Sequence, residues 1–180
     1  GVHDLEPDAE GSRPILEKLK ASVGAVPNLA GIMSESPTLI KAFVTLRGIW
    51  QTSSFSAAER ELVAAANGVT NKCDYCVAIH STFALQEGLD QKELEFVRSG
   101  KSPEEPRLKA LAEFARKVME NRGQISDPDL EQFLSAGFSK AQALEVIVGA
   151  AVSVLANFTN HLAPAPLDEF LKPQAWKAAA

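Results

Sequence analysis

Apolar residues return every three or four positions through most of this chain, and no stretch alternates convincingly with a period of two. Leu39, Phe43, Leu46 and Trp50 fall at i, i+4, i+7 and i+11, which puts them on one face of a helix. Ser56-Ala-Ala-Glu59 reads as a capping box opening the next helix. That helix carries Leu62, Val63 and Ala66 and is expected to loosen at Asn67-Gly68. Another starts near Asp74, continues to Gln86 and is stopped by Gly88. Asp90 caps a short helix ending around Ser99-Gly100. After Pro103 and Pro106, Leu108, Leu111, Ala115 and Val118 mark a further stripe. Asp127-Pro128 begins a helix ending near Gly137, and Ser139 caps a long apolar one from Lys140 to about Asn160. Ahead of these, Pro14 to Val23 is helix-like, Val26 to Leu29 is a connector, and Leu29 to Met33 is a short helical turn. The tail after Pro164 carries Pro166, Pro173 and Trp176, and is expected to pack on a neighbour or fray. The predicted fold class is all-α, in one domain over residues 1–180.

A faint repeat lies inside this pattern. Glu61 precedes Cys73 by twelve residues and Cys76 by fifteen, and Glu145 precedes Asn157 and Asn160 by the same intervals. Each set follows a capped helix start, Ser56 or Ser139. Two similar helical units are expected, about 37–88 and 106–162, with thiols in the first and amides in the second. Coincidence between two Ala-rich helices is the alternative.

Composition narrows the classes. The chain has 180 residues, 46% of them hydrophobic, which suits one compact domain or two small halves sharing a core. Its formal net charge is -5, with no basic run, so it lacks the electrostatic footprint of a nucleic-acid binder. The apolar stretch from Ala141 to Leu155 is interrupted by Gln142, Glu145 and Ser153 and reads as too short and too polar to span a bilayer, so no membrane association is expected. The opening GVHDLEPDAE has no basic region followed by an apolar core, and the expected location is cytoplasmic. Two cysteines cannot make the framework of a secreted disulfide scaffold; a close pair points to redox or metal chemistry.

That pair is Cys73 and Cys76, at i and i+3 of a predicted helix start. The spacing brings two sulfurs within disulfide reach, and the helix N-terminus favours thiolate over thiol. Such pairs drop from a free-thiol pKa near ~8.5 to roughly 7 or lower. His80 lies four residues after Cys76, on the same helical face, and can take a thiol proton. Glu61, from the preceding helix, could orient that imidazole or pass the proton on. One thiolate would attack a peroxide oxygen and become a sulfenic acid; the other would condense with it to a disulfide and water. Cys76 is favoured for attack because His80 stands over it. The opposite order also has a case, since Cys73 sits closer to the helix end.

Blander readings stand beside these. The cysteines could be inert core thiols, or half of a zinc site with His80 and Glu61, although no second C-x-x-C exists. Glu59 reads as a solvated helix residue, and His161 as a cation suited to a helix C-terminus. Asn157 and Asn160 read as helix-packing or subunit-contact amides, and Trp50, Phe43 and Phe158 as core or interface. Phe83, seven residues past Cys76, could wall a pocket; His3 falls in a start expected to be disordered.

With Glu61, an eleven-residue gap, Cys73-x-x-Cys76, three residues and His80, the chain resembles the alkylhydroperoxidase D (AhpD) family signature E-x11-C-x-x-C-x3-H. The Ser-x-x-Glu-Arg-Glu-Leu helix start, Cys-x-Tyr-Cys, Ala-x-His-Ser and Asn157-Phe-Thr-Asn160 fit as well, and the resemblance spans roughly Val26 to Leu162. It looks closest to the peroxidase-related branch of the carboxymuconolactone decarboxylase-like superfamily. The resemblance implies an AhpD-like helical fold and a homo-oligomer, usually a trimer or hexamer. It implies reduction of hydrogen peroxide or an organic hydroperoxide, with Cys76 forming the sulfenic acid, Cys73 resolving it, and Glu61 and His80 relaying protons. It also implies a protein or small-molecule disulfide reductant, or a peroxiredoxin that receives the electrons. No haem, flavin or metal is implied. One departure matters: founding members have a histidine just before the second cysteine, and this chain has Tyr75, a phenol too weakly acidic to act as a base at neutral pH. Two other jobs remain open for the same site: a dithiol electron carrier to a partner protein, or a non-enzymatic redox-sensing assembly module.

Overall fold

The computed structural model describes residues 11–178; His3 lies outside them. Among the described residues the chain is helical throughout, with no strand. The order is α1 (Arg13–Val23), α2 (Asn28–Met33), α3 (Pro37–Gln51), α4 (Ala57–Thr70), α5 (Asp74–Gln86), α6 (Gln91–Arg98), α7 (Pro106–Glu120), α8 (Asp127–Ser135) and α9 (Lys140–Leu162), then a 3₁₀ segment, Glu169–Gln174.

Local chemistry sets most boundaries. Ser36 accepts from the Leu39 amide at 3.2 Å, with Pro37 at the first helical position of α3. Ser56 accepts from the Glu59 amide at 3.1 Å while Glu59 accepts from the Ser56 amide at 2.9 Å, a complete capping box. Ser139 and Gln142 repeat that reciprocal pair at the start of α9. Asp90 accepts from the Lys92 and Glu93 amides and opens α6.

Two clusters of buried side chains form the interior. The larger joins α4, α6, α7, α8 and α9 and contains stacked rings, Phe114 on Phe133 at 4.2 Å and Phe133 on Phe138 at 4.4 Å. The smaller gathers Leu29, Met33, Ile40, Ala156 and Leu171 around Cys73, Tyr75 and Cys76. The cysteine helix α5 therefore has its own apolar bed, built from α2, α3, α9 and the C-terminal segment.

Three features depart from the sequence reading. Asn67-Gly68 does not loosen α4, which runs on to Thr70; Gly68 serves close packing, since a Cβ there would lie 3.1 Å from Val77 Cγ2 and 3.3 Å from Val77 N. Glu59 is not solvated: it is buried, caps α4, and accepts from Arg107 Nε at 2.8 Å. The Arg107 guanidinium in turn lies over the Phe138 ring, 3.9 Å from its centre. Of the two outcomes expected for the tail, the described residues show packing, on elements of its own chain. Leu171 is fully buried against α5, and Trp176 Nε1 donates to the Arg98 carbonyl at 2.8 Å. Finally, the long apolar helix lies where it was expected, but it is not too short and polar for a bilayer: α9 has 23 residues and is, by length and composition, long and apolar enough to cross one. Here it packs against α3, α4 and α7. Its outer side leaves Leu144, Ile147, Phe158 and Leu162 exposed.

Candidate active site

The site begins at the turn between α4 and α5. Asn71 closes α4, Lys72 takes the left-handed conformation at φ 56°, and Cys73 sits at the N-cap of α5 with extended φ and ψ. The Cys73 amide donates back to the Gly68 carbonyl at 2.8 Å. The turn is also held from α9, as Asn71 Nδ2 donates to Asn157 Oδ1 at 2.8 Å and Asn160 Nδ2 to Asp74 Oδ1 at 3.2 Å. The two late amides are thus packing groups within the chain, clamped to the residues flanking the cysteines. Glu145, by contrast, accepts from the Ser54 amide and hydroxyl, away from the thiols.

Cys73 and Cys76 are joined as a disulfide, with Cα atoms 5.3 Å apart. Cys73 Sγ accepts from the Cys76 amide at 3.3 Å, so the first sulfur is the side-chain cap of α5. That places it where the positive end of the helix stabilises a thiolate on reduction. Both cysteines are buried, but they differ in what they face: Cys76 lines a small apolar cavity of about 70 Å³, together with Leu29, Met33, Phe43, Ile79 and Phe83.

His80 opens onto the same cavity, one helical turn beyond Cys76. Its Nδ1 lies 2.7 Å from Glu61 Oε2. The carboxylate accepts the Nδ1 proton, which leaves Nε2 as the nitrogen available to the cavity. Glu61 reaches it from α4, across the crossing that Gly68 makes tight. His80 and Glu61 also line a wider groove of about 370 Å³. This groove shares Phe43, Arg47, Phe83 and Ala156 with the cavity over Cys76.

Tyr75, between the cysteines, also borders this cavity, but its hydroxyl is engaged by α2 and the C-terminal segment. Its hydroxyl donates to Asp168 Oδ2 at 2.5 Å and accepts from the Leu29 amide at 3.4 Å. Asp168 also accepts from the Asn28 amide at 3.2 Å. Burial pushes the phenol well above its ordinary value, and the hydrogen bond and negative charge of Asp168 push it the same way. Tyr75 is thus a neutral donor that ties α2 and the C-terminal segment to the cysteine helix.

All four residues singled out from sequence, Glu61, Cys73, Cys76 and His80, come together here, and Phe83 forms wall as expected. Sequence reasoning passed over Asp168 and Arg47. No local pattern marks Asp168, which lies 93 positions from its partner. Arg47 did leave a signal: it follows Phe43 by four residues inside an apolar stripe. Among the described residues no cluster of three or more His, Cys, Asp or Glu side chains is arranged to hold a metal ion.

Comparison with known proteins agrees with the fold. An uncharacterized peroxidase-related protein with the alkylhydroperoxidase AhpD core, from Ralstonia eutropha JMP134, superposes with a TM-score of 0.83 at 21% identity, covering 95% of this chain and 92% of that one. An uncharacterized peroxidase-related protein from Silicibacter sp. TM1040 gives 0.80 at 21% identity, covering 96% and 94%. The debrominase Bmp8 in complex with 2,3,4-tribromopyrrole gives 0.78 at 16% identity, again covering 96% and 94%. No curated protein matches the sequence. The carboxymuconolactone decarboxylase family model matches residues 37–117, the segment that holds Glu61, both cysteines and His80. Over that segment this chain is similar to the carboxymuconolactone decarboxylase family, and it shares the all-helical fold of the AhpD-core structure.

Proposed function

We propose that this protein is a dithiol peroxidase that reduces hydrogen peroxide or an organic hydroperoxide at Cys76. The observation that carries the reading is the Glu61–His80 pair: with Nδ1 bound to the carboxylate, Nε2 serves the cavity that Cys76 lines. In the reduced protein, Nε2 takes the Cys76 proton. The thiolate attacks one peroxide oxygen, the O–O bond breaks, and His80 returns a proton to the departing alkoxide or hydroxide. Cys76 is then a sulfenic acid. Cys73 attacks its sulfur, releasing water and forming the disulfide, and an external thiol reductant supplies two electrons and two protons to reset the pair. Cys76 fits the attacking role because it, and not Cys73, lines the cavity. Tyr75 contributes no base, being held neutral by burial and Asp168.

The test starts from the reduced protein and one equivalent of hydroperoxide. Both thiols should be lost with formation of a Cys73–Cys76 bridge. Cys76→Ser should abolish peroxide consumption, and Cys73→Ser should leave a sulfenic acid that dimedone traps. Thiols that survive peroxide would remove the peroxidase reading. Turnover of 2,3,4-tribromopyrrole without turnover of peroxide would replace the oxidant and keep the dithiol. The exposed stripe of Leu144, Ile147, Phe158 and Leu162 supports association of several copies through α9. Leu144→Asp should then lower the sedimenting mass, and an unchanged mass would exclude that surface.

A further inference from the structure

One cation in the cavity wall has no ion-pair partner among the described residues. Arg47 lies on α3 between Phe43 and Trp50, at spacings that place all three along one side of the helix. It lines both the apolar cavity over Cys76 and the wider groove beside Glu61 and His80. It is partly buried, and among the described residues nothing pairs with its guanidinium. Of the other charged groups of that lining, Arg60 donates to the Phe55 carbonyl, Glu61 is bound to His80, and Glu87 is exposed and forms no ion pair with Arg47. Partial burial of an unpaired guanidinium is a cost that packing does not require, since an aliphatic residue would continue the stripe of Leu39, Phe43, Leu46 and Trp50. The whole chain carries a net charge of -5, so an anion reaching this groove needs a local cation to hold it.

We propose that Arg47 binds the carboxylate of the substrate, so that the hydroperoxides taken by this site are amphipathic acids. The apolar body fills the cavity over Cys76, and the carboxylate makes a charge-assisted pair with the guanidinium at its wall. The identity of the reacting group rests on the peroxidase reading above; the anion subsite does not.

Two measurements keep these separable. In the first, calorimetry on the oxidised protein compares 4-isopropylbenzoate with neutral 4-isopropylbenzamide. The acid should bind about tenfold tighter or more. Arg47→Met should bring the two to near equality, and Arg47→Lys should restore part of the difference. In the second, kcat/KM is compared for cumene hydroperoxide and its para-carboxylate. The carboxylate should be preferred by a similar factor, and that ratio should fall to near one in Arg47→Met. Wild-type protein that does not distinguish acid from amide, or an Arg47→Met protein that still does, overturns the proposal. Binding that depends on Arg47 without turnover of either hydroperoxide sustains the anion subsite and removes the peroxidase reading instead.

Discussion

Replacing Tyr75 with Phe removes one hydroxyl from a closed interior site, and the consequences can be worked out with their pH dependence. The side chain is 2% exposed, and its hydroxyl joins a carboxylate from the C-terminal segment to the cysteine helix. A hydrogen bond to a charged group contributes roughly 1.5–3 kcal/mol. Asp168 keeps the Asn28 amide and the ring keeps its bed, so the expected loss near neutral pH is mainly that of the bond to Asp168, with a smaller part from the long 3.4 Å bond that the Leu29 amide loses. The pH dependence follows from the raised phenol. In the unfolded chain it titrates near its ordinary value of 10.0, whereas the folded protein holds the proton well beyond that. The stabilisation is therefore complete below the unfolded value and is lost as pH rises above it. The loss amounts to about 1.4 kcal/mol per pH unit. Wild type and Tyr75→Phe should thus converge in stability between about pH 11 and 12. Urea midpoints of the oxidised protein across that range measure the gap, and lysine effects common to both proteins cancel. Tyr75 is the sole tyrosine, so tyrosinate absorbance reports it directly. Ionisation should coincide with unfolding. Tyrosinate forming near the ordinary phenol value while circular dichroism still shows folded helix would refute the buried Tyr75–Asp168 pair, as would a stability gap that ignores pH.

Other substitutions probe the remaining links. His80→Ala should slow oxidation of the reduced thiols by roughly 10²–10⁴-fold, and Glu61→Gln by a smaller factor; stopped-flow rates equal to wild type would take the base away from Cys76. Gly68→Ala should destabilise by up to about 2 kcal/mol, because overpacking against Val77 of roughly 1–3 kcal/mol outweighs a helix-propensity gain of about 1 kcal/mol. Gly48→Ala, with no atom within 4 Å of the added carbon, should instead stabilise by up to about 1 kcal/mol, and equal effects at the two glycines would contradict the tight α4–α5 crossing. Leu171→Ala should cost about 2–5 kcal/mol by emptying a fully buried site under α5; a midpoint within error of wild type would mean that the C-terminal segment is not part of the core.

Much of the fold was legible in the chain because helices are written locally. The capping residues Ser56, Asp90 and Ser139, the stops at Gly88 and Gly137, and the stripe along α3 involve positions a few residues apart, and the structure places helix ends where they stand. The chemistry of Cys73, Cys76 and His80 was readable for the same reason, since i, i+3 and i, i+4 spacings on one helix define which side chains are neighbours. Glu61 was legible by resemblance to a family signature and by its place on the preceding helix. Gly68 shows the limit: its type suggested a weak helix, yet it marks the close approach of α4 to Val77, which no local rule contains. Glu59 likewise reads as a surface acid until Arg107 arrives from 48 residues away.

The amino-acid order alone determined an all-helical chain with a paired thiol at a helix start and an imidazole one turn on, because those relations are set by backbone periodicity. Only the folded arrangement decided that Glu61 holds His80 by Nδ1, that the tail locks Tyr75 through Asp168, and that Arg47 lines the cavity with no counter-ion among the described residues. Each of those depends on where separate helices cross, and crossings are fixed by the collective fit of side chains distant in sequence.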